Sequence, residues 1–145
     1  MQMAMCVYEE LVATCPQVPP ETGGILGGHD GVIVSYEFDG VGAVRLDNSY
    51  RPDVQHLNNR IRTWEARGVE FMGIFHSHPV SERALSMPDR GYIWRIMTSM
   101  PSRISTLYFP LVFPTCDLLA YVATTLRGTV RIDEDAVSLS ESDIA

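Results

Sequence analysis

The sequence contains no lysine; all eleven of its basic side chains are arginines. Eighteen acidic residues outnumber them, for a formal charge of −7. Nucleic acids and anionic membranes are held by clustered cations, so this balance argues against either as the main partner. Cysteine is scarce too. Cys6, Cys15 and Cys116 are widely spaced, odd in number, and include no C-x-x-C pair. That pattern is neither a disulfide framework nor a thiolate zinc site. Buried thiols in a reducing compartment are the expectation. Long unbroken apolar runs are also missing. The most apolar stretch, LYFPLVFPTCDLLAYVA, is interrupted by Pro110, Pro114 and Asp117. It suits two strands better than one membrane helix. The opening MQMAMCVYEELV lacks the basic flank and long apolar core of a signal peptide. The expected location is cytoplasmic.

What remains is a chain of 145 residues, 46% hydrophobic and 20% charged. That composition fits a globular protein with one core. No internal repeat or linker is visible. The expected layout is a single domain over residues 1–137, followed by a frayed acidic tail over 138–145. Met3, Val7, Leu11 and Cys15 recur at helical spacing, and Pro16 ends that run. GGILGG and GVIVSYEF read as strands joined by a turn at GGHDG, and VRLDN as a further short strand. Val54, Leu57, Ile61 and Trp64 mark a helix face, with Asp53 near its start and Gly68 beyond its end. VEFMGIFHSH reads as a buried strand. Ile93, Ile96, Met97 and Met100 mark another helix, closed by Pro101. ISTLYFPLVF, DLLAYVATT and TVRIDE complete the set as strands. The fold class is mixed α/β, with helices packed on a mixed or largely antiparallel sheet.

The chemistry concentrates in GIFHSHPVSERALSMPDR, residues 73–90. Side chains alternate along a strand, so His76 and His78 point the same way, with Met72 and Ile74; Phe71, Gly73 and Phe75 point the other way. Two imidazoles so placed can reach one cation, and zinc favours such nitrogen-rich, four-coordinate sites. Buried without partners, their ring nitrogens would cost energy. Asp89 is the candidate third ligand, in the first turn of the Ile93 helix, where the helix dipole favours a carboxylate. Such a site leaves a position for water, whose pKa falls from 15.7 towards about 7 on the metal. A general base is then needed. Glu70 shares the histidine face but lies six residues before His76, about 20 Å away at roughly 3.3 Å per residue. Glu82 and Glu21 stay open on spacing. Ser86 could donate to a developing oxyanion. It also suits an N-cap, with Pro88 in the first turn. The two roles are compatible, because a capped helix end holds Asp89 still. His29 and His56 read as ordinary surface or structural residues.

These motifs resemble the JAMM (MPN+ or JAB) zinc metalloprotease family, whose pattern is an upstream Glu, then H-x-H, seven residues, and S-x-x-D. His76-Ser77-His78 and Ser86-Met87-Pro88-Asp89 meet that spacing without insertion. ETGGILGG is similar to the family's first motif, and the likeness spans about Glu21 to about Met100. The resemblance implies that His76, His78 and Asp89 bind one Zn2+, that Glu21 is the general acid/base and that Ser86 supports the oxyanion. It implies a curved mixed sheet flanked by helices, the JAB/MPN-like (cytidine-deaminase-like) architecture. It also implies hydrolysis of a peptide or isopeptide bond after the Gly-Gly tail of a ubiquitin-like or sulfur-carrier protein. The chain's shortness leaves little room for ubiquitin-chain-gripping insertions and favours a small carrier. Gly23, Gly24, Gly27 and Gly28 would let a peptide approach closely, or add as a strand. The rival reading is a non-catalytic MPN-type module that binds a ubiquitin-like partner. The oligomeric state stays open, a homodimer included.

Overall fold

The computed structural model describes residues 1–14, 22–39 and 54–141. Nine strands and three helices follow in the order β1 (Gln2–Ala4), α1 (Met5–Thr14), β2 (Gly23–His29), β3 (Val32–Phe38), α2 (Val54–Ala66), β4 (Glu70–Ser77), α3 (Met87–Ser99), β5 (Thr106–Tyr108), β6 (Leu111–Phe113), β7 (Asp117–Leu126), β8 (Thr129–Asp135) and β9 (Ser138–Ser140). They form one mixed sheet. The run β5-β7-β6-β4-β2-β3-β1-β9 is hydrogen-bonded in that order, and β8 pairs with β7. The expected mixed α/β class is therefore the observed one.

Local chemistry explains the turns. β2 and β3 pair from His29 to Val32, and β7 and β8 from Leu126 to Thr129, each across two residues. Asp30 and Gly31, and again Arg127 and Gly128, take positive φ. A two-residue hairpin of type I′ needs that conformation at both central positions, and its twist matches that of the strands. After α2, Gly68 also takes positive φ, as a helix-ending glycine does.

Two clusters of buried side chains hold the layers together. Leu57, Ile93 and Met97 of α2 and α3 pack with Ile25, Phe71, Ile74 and Leu107 of the sheet. Val7 and Leu11 of α1 pack with Leu26, Ile33, Met72 and Phe75. The two faces of β4 do not alternate simply. Phe71 joins Ile74 in one cluster, while Met72 joins Phe75 in the other. The expected grouping of Met72 with Ile74 and the histidines is corrected at Gly73, whose φ is +154°. The β2–β4 register also shifts between Leu26 and Gly27. A Cβ on Gly73 would lie 1.8 Å from the Tyr108 carbonyl oxygen. Glycine lets β5 press against β4 there and resets the face.

Other expectations are corrected at the edges. Met3 lies in β1, not in the first helix, and β1 runs parallel to β3 and β9. Ser138 to Ser140, expected to fray, pair with Gln2 to Ala4. ISTLYFPLVF is two short strands, because Pro110 cannot donate to a ladder. Cys6 and Cys116 are exposed rather than buried. Cys15, Asp53 and the VRLDN segment lie outside the described residues. No helix among the described residues is long and apolar enough to cross a membrane.

Candidate metal centre

β4 delivers the histidines. It lies between β2 and the β5/β6 pair, so its end is held from both sides. His76 N–H donates to the Pro110 carbonyl and His78 N–H to the Val112 carbonyl. Ser77 N–H donates the other way, to the Thr22 carbonyl, and Thr22 N–H returns a bond to Ser77 Oγ at 2.9 Å. The backbone therefore stays extended through His78, one residue past the strand. That keeps both imidazoles on one side. Their Nε2 atoms approach to 3.1 Å.

α3 delivers the carboxylate. Ser86 caps the helix: its Oγ accepts from Asp89 N–H, and its own N–H donates to Asp89 Oδ2. This reciprocal box fixes the first turn. Asp89 Oδ1 lies 3.3 Å from His76 Nε2, and Asp89 Oδ2 lies 3.1 Å from His78 Nε2. One ligand atom from each of His76, His78 and Asp89 fits within 4.8 Å of the others. This is a group that could hold a metal ion.

The donor chemistry fits a cation. A carbonyl only accepts, so the 2.8 Å contact between His78 Nδ1 and the Glu82 carbonyl puts the proton on Nδ1. In the neutral ring Nε2 then carries the lone pair, and it faces the cluster. Such an outer partner fixes the tautomer of a metal-binding histidine. Burial pushes the His76 pKa down, against the opposing pull of Asp89. The neutral ligand form is favoured. For Asp89 burial acts in the raising direction. The hydrogen bonds of His76 and His78, the charge of His76, and the Ser86 N–H outweigh it, and hold the carboxyl well below the usual range. The site offers two imidazole nitrogens and one carboxylate.

Other candidates fall elsewhere. Glu70 is exposed at the far end of β4, as its spacing required. Glu82 contributes its backbone carbonyl to His78, and its residue is exposed. His29 Nδ1 lies 3.3 Å from the Gly68 carbonyl, away from the cluster. Glu21 lies outside the described residues. The strand pairing its role required is present up to its neighbour: Gly23 pairs with His76, and Thr22 is bonded twice to Ser77. Gly24, Gly27 and Gly28 of β2 stand where the interior leaves no room for a side chain. A Cβ on Gly24 would lie 2.0 Å from the Glu37 carbonyl oxygen, and one on Gly27 would lie 2.6 Å from the Trp64 ring. β2 is also paired on both sides, which leaves it no edge for an added strand.

Sequence reasoning missed two participants. Ser77 Oγ fastens Thr22 beside the histidines. Tyr92 stands one helical turn after Asp89, with its hydroxyl buried and without a partner among the described residues. Burial, then the charges of Asp39 and Asp89, push its pKa up. The i, i+3 spacing from Asp89 was the available signal for Tyr92.

Residues 7–131 match the family described as prokaryotic homologs of the JAB domain. The chain belongs to that family. Among solved structures, this JAB domain is similar to a protein of Desulfitobacterium hafniense, with 21% identity and a TM-score of 0.63, over 97% of this chain and 93% of that one. It is also similar to a JAB1/MPN domain protein of Archaeoglobus fulgidus, with 15% identity and a TM-score of 0.55, over 96% and 98%. A third likeness is to a protein of Salinibacter ruber, with 14% identity and a TM-score of 0.54, over 100% and 95%. At these identities the likeness concerns the fold alone. No curated protein matches this JAB domain.

Proposed function

We propose that this JAB domain is a zinc-dependent peptidase or isopeptidase, cutting after the Gly-Gly tail of a ubiquitin-like or sulfur-carrier protein. The observation that carries the reading is the convergence of His76, His78 and Asp89, with the His78 tautomer set by the Glu82 carbonyl. In this reading His76 Nε2, His78 Nε2 and the Asp89 carboxylate hold the ion. Zinc in such a site supplies Lewis acidity, polarising a carbonyl and acidifying water towards a pKa of about 7.

The remaining tasks fall to the chain. Glu21 takes a proton from the attacking water and returns it to the leaving amine. Its immediate neighbour Thr22 is tied to Ser77, between the two histidines, which supports that placement. The Ser86 Oγ accepts from Asp89 N–H, and its own O–H stays available as a donor. That donor suits the oxygen of a tetrahedral intermediate, where charge develops. The capping box keeps the hydroxyl from wandering.

The test pairs metal analysis with turnover. The wild type is expected to hold about one zinc per chain and to cleave a Gly-Gly-linked fusion in a chelator-sensitive way. Glu21→Gln should retain the metal and lose turnover. His78→Ala and Asp89→Ala should lose the metal. Full activity in Glu21→Gln would remove the base assignment. A wild type without zinc at neutral pH would favour a non-catalytic binding module.

A further inference from the structure

Val80, Met87 and Trp94 are three of the five large hydrophobic side chains exposed among the described residues, at 46%, 81% and 55%. All three belong to the segment that builds the metal centre. Val80 follows His78 by two residues, and Met87 precedes Asp89 by two. Met87 and Trp94 stand two turns apart on one helix face, roughly 10 Å along the axis at about 1.5 Å per residue. Gly91 lies between them, and nothing is within 4 Å of a Cβ placed there. An open apolar strip therefore runs from the rim of the site along α3.

The charge of this strip is opposite to that of the chain. Arg90 and Arg95 flank it, both exposed and with no carboxylate partner among the described residues. Arg60, Arg83, Arg103 and Arg131 are each paired with a carboxylate, while Arg62, Arg67 and Arg127 share the unpaired state of Arg90 and Arg95 among the described residues but lie away from α3. The acidic side chain of α3 is Asp89, which turns into the site. A convex helix face does not suit a small molecule, which takes a concave pocket. Two arginines on a chain of charge −7 do not suit nucleic acid. Exposed Trp and Arg beside an apolar patch suit a protein.

Resting on the peptidase reading above, we propose that this strip docks the folded body of the substrate protein, and that the body presents an apolar patch with an acidic rim. Reach supports the placement. A tail of two to four residues spans only about 7–14 Å when extended. A body whose tail enters the site must sit against its rim, and Val80 and Met87 form part of that rim.

The test compares two probes with the same scissile bond. One is a four-residue peptide ending in Gly-Gly and linked to an aminocoumarin. The other is an acidic sulfur-carrier protein ending in Gly-Gly with the same reporter. The wild type should prefer the carrier by at least about tenfold in kcat/KM, and added salt should reduce the preference. Trp94→Ala and Arg95→Glu should each lower carrier turnover about tenfold, leaving peptide turnover and melting temperature unchanged. Equal loss on both probes, or no loss on the carrier, overturns the docking surface and leaves the peptidase reading standing. A Trp94→Ala change from dimer to monomer on sedimentation also overturns it, because the strip is then a self-interface. If the wild type cleaves neither probe, the peptidase reading falls. Calorimetric binding of the carrier, lost in both variants, still supports the surface in that case, and absence of binding overturns it.

Discussion

At the scale of single residues, two side chains of the site each answer two demands. Asp89 closes a helix cap and faces the imidazoles. Ser77 sits between the histidines and fastens Thr22. Tyr92 answers neither, since its hydroxyl is buried without a partner among the described residues. An unpaired buried hydroxyl costs about 1–3 kcal/mol, so Tyr92→Phe should hold or raise stability. A rise of about 2–4 °C in melting temperature is expected for each 1 kcal/mol gained. A clear loss in thermal denaturation would show a partner at the hydroxyl. His76 makes a second prediction. Its pKa is lowered in the fold, chiefly by burial, so the folded chain binds fewer protons than the unfolded one below the ordinary value of 6.5. The stability from His76 is complete above that value and is lost as pH falls through the lower folded value. Urea midpoints of the metal-free protein should fall between pH 7 and pH 5, and less so in His76→Asn. An unchanged slope in that variant would count against the assignment.

At the scale of elements, legibility followed length and periodicity. α2, α3, β4 and the β2–β3 hairpin were readable because apolar spacing and glycine turns coincide with them. H-x-H and S-x-x-D were readable because one strand end and one helix start hold all four residues. The short strands β1 and β9 were not, since three residues carry no period and pairing decides their state; β5 and β6 were legible as one strand, without the break at Pro110. The face reversal in β4 was equally hidden. It depends on Gly73 meeting Tyr108, thirty-five residues further on, and no local pattern records that approach. Glycine substitutions make the contrast testable. Gly73→Ala forces a Cβ against backbone at an unfavourable φ and should cost more than about 4 kcal/mol, or prevent folding. Gly91→Ala, in the open interior of α3, should instead stabilise by about 0.5–1 kcal/mol. Chemical denaturation of the two variants checks both signs.

At the scale of the whole molecule, an ion held by His76, His78 and Asp89 would be linked to the fold through three side chains. A ligand that binds only the folded state stabilises it by mass action, about 2.7 kcal/mol at a hundredfold excess over Kd. Zinc should therefore raise the melting temperature of the wild type, chelator should reverse the gain, and His78→Ala should be insensitive to both. A wild type whose melting point ignores zinc would disconnect the cluster from metal. The capping box has a further consequence for reading relatives of this domain. Ser86 and Asp89 satisfy the open end of α3 whether or not an ion is bound, so selection for folding alone would preserve them. His76 and His78 have no such second occupation at a helix end. In a sequence that retains Ser-x-x-Asp, the serine and aspartate report an intact helix. The imidazole pair reports whether the metal chemistry has survived.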